Sequence, residues 1–400
     1  MTRRRARLTA CISLSVSLAL LVASCGSSSP SPASTSPAST SPADSAATST
    51  SPASSAATGS DDVVAGAAFP AARCAANKAA GKITYLTGFD YSASASMVDV
   101  FVADAAGYFT DLCLDVEIKP SLSTDNYPLV AANHAQFASA GSFSEVVEFN
   151  QQNKASLKAL AVEGRVGIDT LIVKHGAITS LADVRGKKIG VKAAITRSVK
   201  AMLLEQGLVE NKDYDTVQLD GYDPMVHLAT PGIIGFPGYK SNEPLQLKAA
   251  GAQFDTYDPA DYGIPGSFGV IVSDAAFIAA HPTAATDFMR ATMRGLHDAL
   301  ADPTAAANVA VGLINAHGNA MSLSPAGEIA RWAVESKIVA ANSTAAFPAG
   351  VPEPQLLTKE LTSYAKIGMF NGQTPDYTSA LDPLLATVYA ADGSVIWPSK

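Results

Sequence analysis

The chain has 400 residues with 28 basic and 36 acidic side chains, a net charge of −8, a 48% hydrophobic content and only 16% charged residues. An acidic chain of this kind lacks the basic surface that nucleic-acid binding needs, so no nucleic-acid partner is expected. Its length is enough for two lobes with cores of their own.

Arg3, Arg4, Arg5 and Arg7 precede an apolar run from Leu8 to Ala23 that is short for a permanent membrane span, and Val22-Ala-Ser-Cys25 follows. The pattern predicts a signal peptide over residues 1–24. Its ending resembles a bacterial lipobox, which implies cleavage before Cys25, a lipid anchor on that thiol, and a protein exported and held at the outer face of the cell membrane. A plain cleaved signal with a free cysteine is the alternative. General secretion and the twin-arginine route both stay open. Without the leader's four arginines, 24 basic residues face 36 acidic ones, a net charge of −12.

Residues 25–60 are almost wholly Ser, Ala, Thr, Pro and Gly, with Asp44 the one charge. With nothing to bury, such a segment cannot offset its conformational entropy. It reads as a disordered tether with an r.m.s. reach on the order of 30 Å, and its Ser/Thr/Pro content suits O-glycans.

Cys74 and Cys113 are the two cysteines left once Cys11 and Cys25 are assigned to the leader. In an oxidising compartment they are expected to pair, two buried thiols being the alternative. No Cys-x-x-Cys or paired-histidine spacing accompanies them, so no metal or cofactor is expected.

The folded part opens with a strand at Lys82–Thr87, a loop at Gly88–Ser94, a helix at Met97–Ala106 and a second strand at Leu114–Ile118. Then come a helix near Asn126–Asn133, a strand at Gln136–Gly141, a helix at Ser144–Asn150 and a strand at Leu157–Val162. Asp169–Lys174 is read as the strand crossing between lobes. Ser180–Gly207 is a strand, a tight loop and an amphipathic helix: Gly186–Val191 supplies a β-branched run, and Val199, Met202, Leu203 and Leu204 recur at helical spacing before Gly207. A helix starting near Thr196 presents unpaired N–H groups, two hydroxyls and Arg197 above the strand's carboxyl end, which suits a small polar or anionic ligand. An ordinary helix cap is the plainer reading. Asp215–Asp220, Ile233–Phe236 and Phe268–Ser273 read as further strands, the last returning to the first lobe. Four closing helices each begin near a proline: Pro282–Leu300, Pro303–His317, Pro325–Ile338 and Pro354–Ile367.

Four segments in order carry a family likeness: Gly107-Tyr-Phe with Leu114-Asp-Val-Glu, Leu181-Ala-Asp-Val-Arg-Gly-Lys-Lys-Ile-Gly190, Tyr239-Lys-Ser-Asn-Glu-Pro244, and Asp261-Tyr-Gly-Ile-Pro265. Together they resemble the NMT1/THI5-like family over Lys82 to beyond Pro303. That family includes solute-binding proteins of ABC importers, among them binders of thiamine-pyrimidine precursors, with aliphatic-sulfonate and taurine binders as relatives. The resemblance implies an α/β, two-lobed periplasmic-binding-protein fold with the ligand cleft between lobes. Residues 61–173 and 268–400 would form lobe one and residues 174–267 lobe two. It further implies a small-molecule ligand, an ABC permease as membrane partner, a monomer, and capture by lobe closure rather than catalysis.

Clefts of this kind lie at strand carboxyl ends. The candidate ligand residues are Phe89, Asp90, Tyr91, Ser139, Ser142, Thr196, Arg197, Ser198, Tyr222, Tyr239, Asn242 and Glu243. Aromatic faces and carboxylates or amides suit a flat heteroaromatic ligand, and Tyr239, Asn242 and Glu243 sit in the segment that matches the family's signature. The loop Gly88-Phe-Asp-Tyr-Ser-Ala-Ser94 departs from the tryptophan and Asn-x-x-His-like run of the pyrimidine binders, and Ala229–Phe236 departs from the Gly-x-Val-Asp-Ala of relatives. A sulfonate held by Arg197 is the rival ligand, and a ligand-sensing lipoprotein the rival role. The cysteine-rich iron motif of the fungal pyrimidine-making relatives is missing, as are a Gly-x-Ser-x-Gly elbow, a phosphate loop and a His-Glu-x-x-His helix.

Overall fold

A computed structural model describes residues 61–341 and 343–399. The expected signal peptide, Cys25 and the tether lie outside the described residues. No helix among the described residues is long and apolar enough to cross a membrane.

Ten strands form two five-stranded sheets. The first holds β1 (Lys82–Leu86), β2 (Asp115–Lys119), β3 (Phe137–Ala140), β4 (Leu157–Gly164) and β10 (Phe268–Asp274) in the order β2-β1-β3-β10-β4. β1 runs parallel to β2 and β3, and β10 runs antiparallel to β3 and β4. The second holds β5 (Asp169–Lys174), β6 (Lys188–Val191), β7 (Asp215–Gln218), β8 (Gly235–Tyr239) and β9 (Phe254–Tyr257) in the order β7-β6-β8-β5-β9. β6 is parallel to β7 and β8, and β5 is antiparallel to β8 and β9. β5 therefore does not cross between lobes, as its sequence suggests. It lies wholly in the second sheet, and the chain crosses at residues 165–168 and returns at residues 263–267. Gly235 permits the β5–β8 contact, since a Cβ there would stand 1.9 Å from the Ile172 carbonyl oxygen.

The first sheet carries α1 (Ala71–Ala79), α2 (Val98–Ala105), α3 (Tyr108–Asp111), α4 (Ser123–Ala131) and α5 (Phe143–Asn153). The second carries α6 (Arg197–Glu205), α7 (Pro224–Ala229) and α8 (Glu243–Ala249). The chain closes with α9 (Ala275–Ala280), α10 (Pro282–Ala301), α11 (Pro303–His317), α12 (Pro325–Ala341) and α13 (Pro354–Lys366). Local chemistry fixes many of the helix starts. Ser142 and Glu145 form a reciprocal capping box on α5, and Asp223, Asp274 and Asp302 accept N–H groups at the starts of α7, α9 and α11. Prolines occupy the first turn of α7, α8, α10, α11 and α13, where the missing N–H would have no helical partner in any case.

One apolar core packs β1 and β3 against α2, α10 and α12, with Phe137 stacked on Phe288 at 3.9 Å between ring centroids and Trp332 fully buried. A second runs from Val162 and Val270 of the first sheet through Leu361 and Tyr364 of α13 to Leu171, Val191 and Val199 beside the second. The two lobes thus share buried apolar surface behind the crossing segments. Cys74 and Cys113 are joined by a disulfide that ties α1 to the turn before β2 across 39 residues. In the chain-entropy account, closing a loop of that size contributes about 4 kcal/mol.

Asp99 on α2 and Glu163 at the end of β4 are buried together. Desolvation, first of all, raises both carboxyls, Asp99 to about 6 and Glu163 well above its ordinary value, and their mutual repulsion adds to the Glu163 shift. As a pair they hold a proton that the unfolded chain releases near pH 4. The folded state then binds more protons than the unfolded one, so stability should fall as pH rises from about 4 to about 6. Melting temperatures of Asp99→Asn across this range should fall less steeply than those of the wild type.

Candidate ligand-binding cleft

The loops leaving β3, β6 and β8, with α12, bring the two lobes together around one space. On one flank Arg197, at the first turn of α6, reaches across to α5, where Nη1 donates to Glu145 Oε1 at 2.7 Å and Nη2 to Glu148 Oε2 at 2.5 Å. Desolvation opposes the guanidinium's charge, but the two carboxylates outweigh it and raise its pKa. On the other flank Glu335 of α12 accepts Ser94 Oγ at 2.6 Å and the Ala95 N–H at 2.7 Å from the first lobe, and Ser241 Oγ at 2.6 Å from the second. One turn earlier, Arg331 donates to Asn242 Oδ1 at 2.9 Å.

Between these flanks lies Tyr239, at the end of β8. It is 49% exposed, yet desolvation, and after it the carboxylates of Asp169, Glu145, Glu243 and Glu335, raise its hydroxyl above the ordinary value. A ring that lines a cleft, with its hydroxyl end set among protein atoms, satisfies both observations. Asp169 accepts Ser198 Oγ at 2.6 Å, and desolvation, opposed by that hydrogen bond, raises its carboxyl to about 6. Glu243 is buried, accepts the Tyr239 N–H at 2.8 Å and lies 3.8 Å from Lys192, whose ammonium sits 4.7 Å from the ring centroid of Tyr222. Tyr222 is 68% exposed.

The geometry therefore gathers Ser142, Arg197, Ser198, Tyr239, Asn242 and Glu243 around the inter-lobe space, with Tyr222 beside Lys192 after β7. Thr196 takes the N-cap position of α6, but its hydroxyl does not cap the helix and has no partner among the described residues. Four expectations are corrected. Tyr91 is buried in the first core against Phe101 and His317. Asp90, with φ at +50°, is buried and accepts the Met321 N–H. Phe89 packs against the same core, and Ser139 is buried in a 2.7 Å hydrogen bond with Ser96 Oγ. These four shape the loop behind the cleft, because the apolar side of the β1–α2 turn is drawn into the lobe instead of facing the ligand.

Residues that sequence reasoning missed are Asp169, Lys240, Arg331 and Glu335. Lys240 donates to the Gly167 carbonyl at 2.8 Å and pairs with Asp258 at 2.7 Å, fastening the crossing segment. A signal for α12 was present. Glu328, Arg331 and Glu335 fall at i, i+3 and i+7, one stripe of a helix whose apolar residues point to a buried setting, and all three are buried.

Two mixed sheets, crossing segments and an enclosed space between lobes define a two-lobed binding protein. The fold matches solved periplasmic-binding-type structures. One is a putative sulfonate ABC transporter's periplasmic sulfonate-binding protein from Methylobacillus flagellatus, with TM-score 0.55, 16% identity, and 76% of this chain and 93% of that one covered. Another is a Candida albicans protein described as having the generic periplasmic binding protein fold, with TM-score 0.52, 13% identity, and 76% and 95% covered. Residues 94–306 match the family model described as NMT1/THI5 like, and the chain belongs to that family. It is also similar to the riboflavin-binding protein RibY of Chloroflexus aurantiacus, 28% identical over 219 residues, which is 54% of this chain and 62% of that protein. The match thus spans less than two thirds of that relative's length.

Proposed function

We propose that this protein is the solute-binding lipoprotein of an ABC-type importer, exported, anchored through Cys25, and capturing a small uncharged or cationic heteroaromatic ligand by lobe closure for delivery to a membrane permease. The observation that carries the ligand class is the state of the cations at the cleft. Arg197 is held by Glu145 and Glu148, Lys192 by Glu243, Lys240 by Asp258 and Arg331 by Glu328 at 3.1 Å. The backbone donors of the β1–α2 loop are also taken. The N–H groups of Ala93, Ala95 and Ser96 are received by Glu328, Glu335 and Glu163. A sulfonate entering here would displace internal carboxylates and meet Asp169 and Glu335 unshielded, an arrangement that Coulomb repulsion disfavours. A flat ring with N–H donors would meet acceptors, with Tyr239 and Tyr222 available for stacking. The resemblance to a riboflavin-binding protein supports the heteroaromatic reading. Closure follows from the ligand's greater affinity for the arrangement in which both flanks are joined.

Melting curves of the full chain with riboflavin, an aminomethylpyrimidine, taurine and alkanesulfonates test this reading. A ligand present at a hundred times its Kd should add about 2.7 kcal/mol. Stabilisation by a heteroaromatic and none by sulfonates is the expected result, and the reverse would overturn it. Tyr239→Ala should weaken the heteroaromatic about tenfold while Tyr239→Phe keeps most of the affinity, since stacking survives in phenylalanine.

A further inference from the structure

A second cavity lies about 10 Å along α6 from Arg197, at the helix's other end. It has a volume of about 360 Å³ and is lined by Lys200, Leu204, Leu208, Val209, Tyr214 and Ile367, among others. That volume falls in the range of ordinary small-molecule sites, about 300–1,000 Å³. Its walls come from both parts of the protein. α6 and the turn after it follow β6 of the second sheet, whereas residues 366–368 close α13, which packs on α5 of the first lobe. Lys366 spans the junction and pairs with Glu205 at 2.6 Å.

The polar groups around this cavity are unevenly satisfied. Tyr214 is only 2% exposed, and its hydroxyl has no hydrogen-bond partner among the described residues. Burial, with Glu210 adding to it, raises that phenol, so it stays a proton donor. Lys200 pairs with Glu210 at 3.0 Å, and the other oxygen of Glu210 accepts Thr216 Oγ1 at 3.2 Å. Each ammonium has three N–H donors and gives one to its carboxylate. What remains is an excess of donors above an apolar wall of Leu204, Leu208, Val209 and Ile367.

We propose that this cavity is a second binding site, separate from the inter-lobe cleft, for a small aromatic carboxylate whose ring lies on the apolar wall and whose oxygens face Tyr214, Lys200 and Lys366. Because α6 also carries Arg197, and α13 belongs with the opposite lobe, an occupant here favours the joined arrangement of the lobes. The site rests on the cavity and its donors and stands whether or not the cleft takes a heteroaromatic.

The test is calorimetry of the full chain with 2-naphthoate and, as the charge-reversed probe, 2-naphthylmethylamine. Saturable binding of the naphthoate and weaker or no binding of the amine is expected. Tyr214→Phe should weaken naphthoate about three- to tenfold, the worth of one hydrogen bond, without lowering the melting temperature, since the hydroxyl it removes is unpaired. Val209→Trp, at a position 41% exposed, should fill the cavity and abolish binding while the fold is kept. Tyr239→Ala should leave it unchanged. The proposal falls if naphthoate does not bind, if the amine binds as tightly, or if binding survives Val209→Trp and is lost in Tyr239→Ala, which would put the probe in the cleft.

Discussion

Ser241→Ala should lower affinity for the cleft ligand by about tenfold to a hundredfold with little change in melting temperature, and Glu335→Ala should lower it at least as much. Glu335 is the one carboxylate described here that accepts from both lobes at once, from Ser94 and Ala95 on one side and Ser241 on the other. A hydrogen bond to a charged group contributes about 1.5–3 kcal/mol. Opening the lobes breaks the Ser241 bond and spares the others, so its removal shifts the equilibrium towards the open form by that amount. A ligand that binds only the joined form then loses affinity by the same factor. Desolvation raises the Glu335 carboxyl, and the charge of Arg331, foremost among several opposing interactions, holds it down. Glu335→Gln keeps acceptor capacity but not the charge, so its loss should fall between the wild type and Glu335→Ala. Calorimetry measures the affinities, and small-angle scattering of the unliganded variants should show expansion for both Ser241→Ala and Glu335→Ala. Unchanged affinity and unchanged dimensions in both would mean that closure does not run through α12.

The helices with strong local signals were legible. Pro282, Pro303, Pro325 and Pro354 each open a helix where the sequence places them, because a fixed φ and a missing N–H suit the first turn and little else in a helix. The β6–α6 unit was legible for the same reason, its β-branched run and helical spacing being separated by a loop too short for anything else. The second sheet was harder. β5 and β9 pair with each other and β5 with β8 in antiparallel fashion, and a strand's sheet membership depends on residues far along the chain. Asp169–Lys174 has the same apolar pattern whether it crosses between lobes or sits inside one.

The site was legible where it follows directly on a strand. Arg197, Ser198, Tyr239, Asn242 and Glu243 could be placed by reading where β6 and β8 end. Glu335 could not, since only tertiary packing sets residue 335 beside Ser241 and Ser94. Nor could the pairing of Arg197 be read. Its guanidinium suits an anionic ligand until Glu145 and Glu148, some fifty residues earlier, are found against it. The β1–α2 loop misleads for a related reason. Phe89 and Tyr91 are as suitable for a core as for stacking on a ligand, and the presence of Phe101 and His317 beside Tyr91 decides for the core.

Arg73→Met should destabilise the folded protein by about 3–5 kcal/mol, the usual cost of leaving a buried charge without its partner. Asp287, on α10, is fully buried and accepts Arg73 Nε at 2.6 Å, Arg73 Nη2 at 3.0 Å, Asn77 Nδ2 at 2.8 Å and Arg290 Nε at 3.1 Å. Arg73 supplies the two-pronged contact, and the methionine would supply only its packing. α1 cannot relieve the loss by swinging away, because the Cys74–Cys113 disulfide holds it beside the lobe. If the cost is that of an uncompensated carboxylate, Arg73→Met/Asp287→Leu should recover part of it. Recovery should be incomplete, since Arg290 is itself buried and would keep only the Ile396 carbonyl, accepted at 2.7 Å, of its present partners. Denaturant titrations of the single and double variants give the coupling directly. A double variant as unstable as the sum of its parts would mean that Arg73 acts through packing and not through Asp287. In reducing buffer, with α1 released, the Arg73→Met penalty should shrink, because the helix can then move and let water reach Asp287.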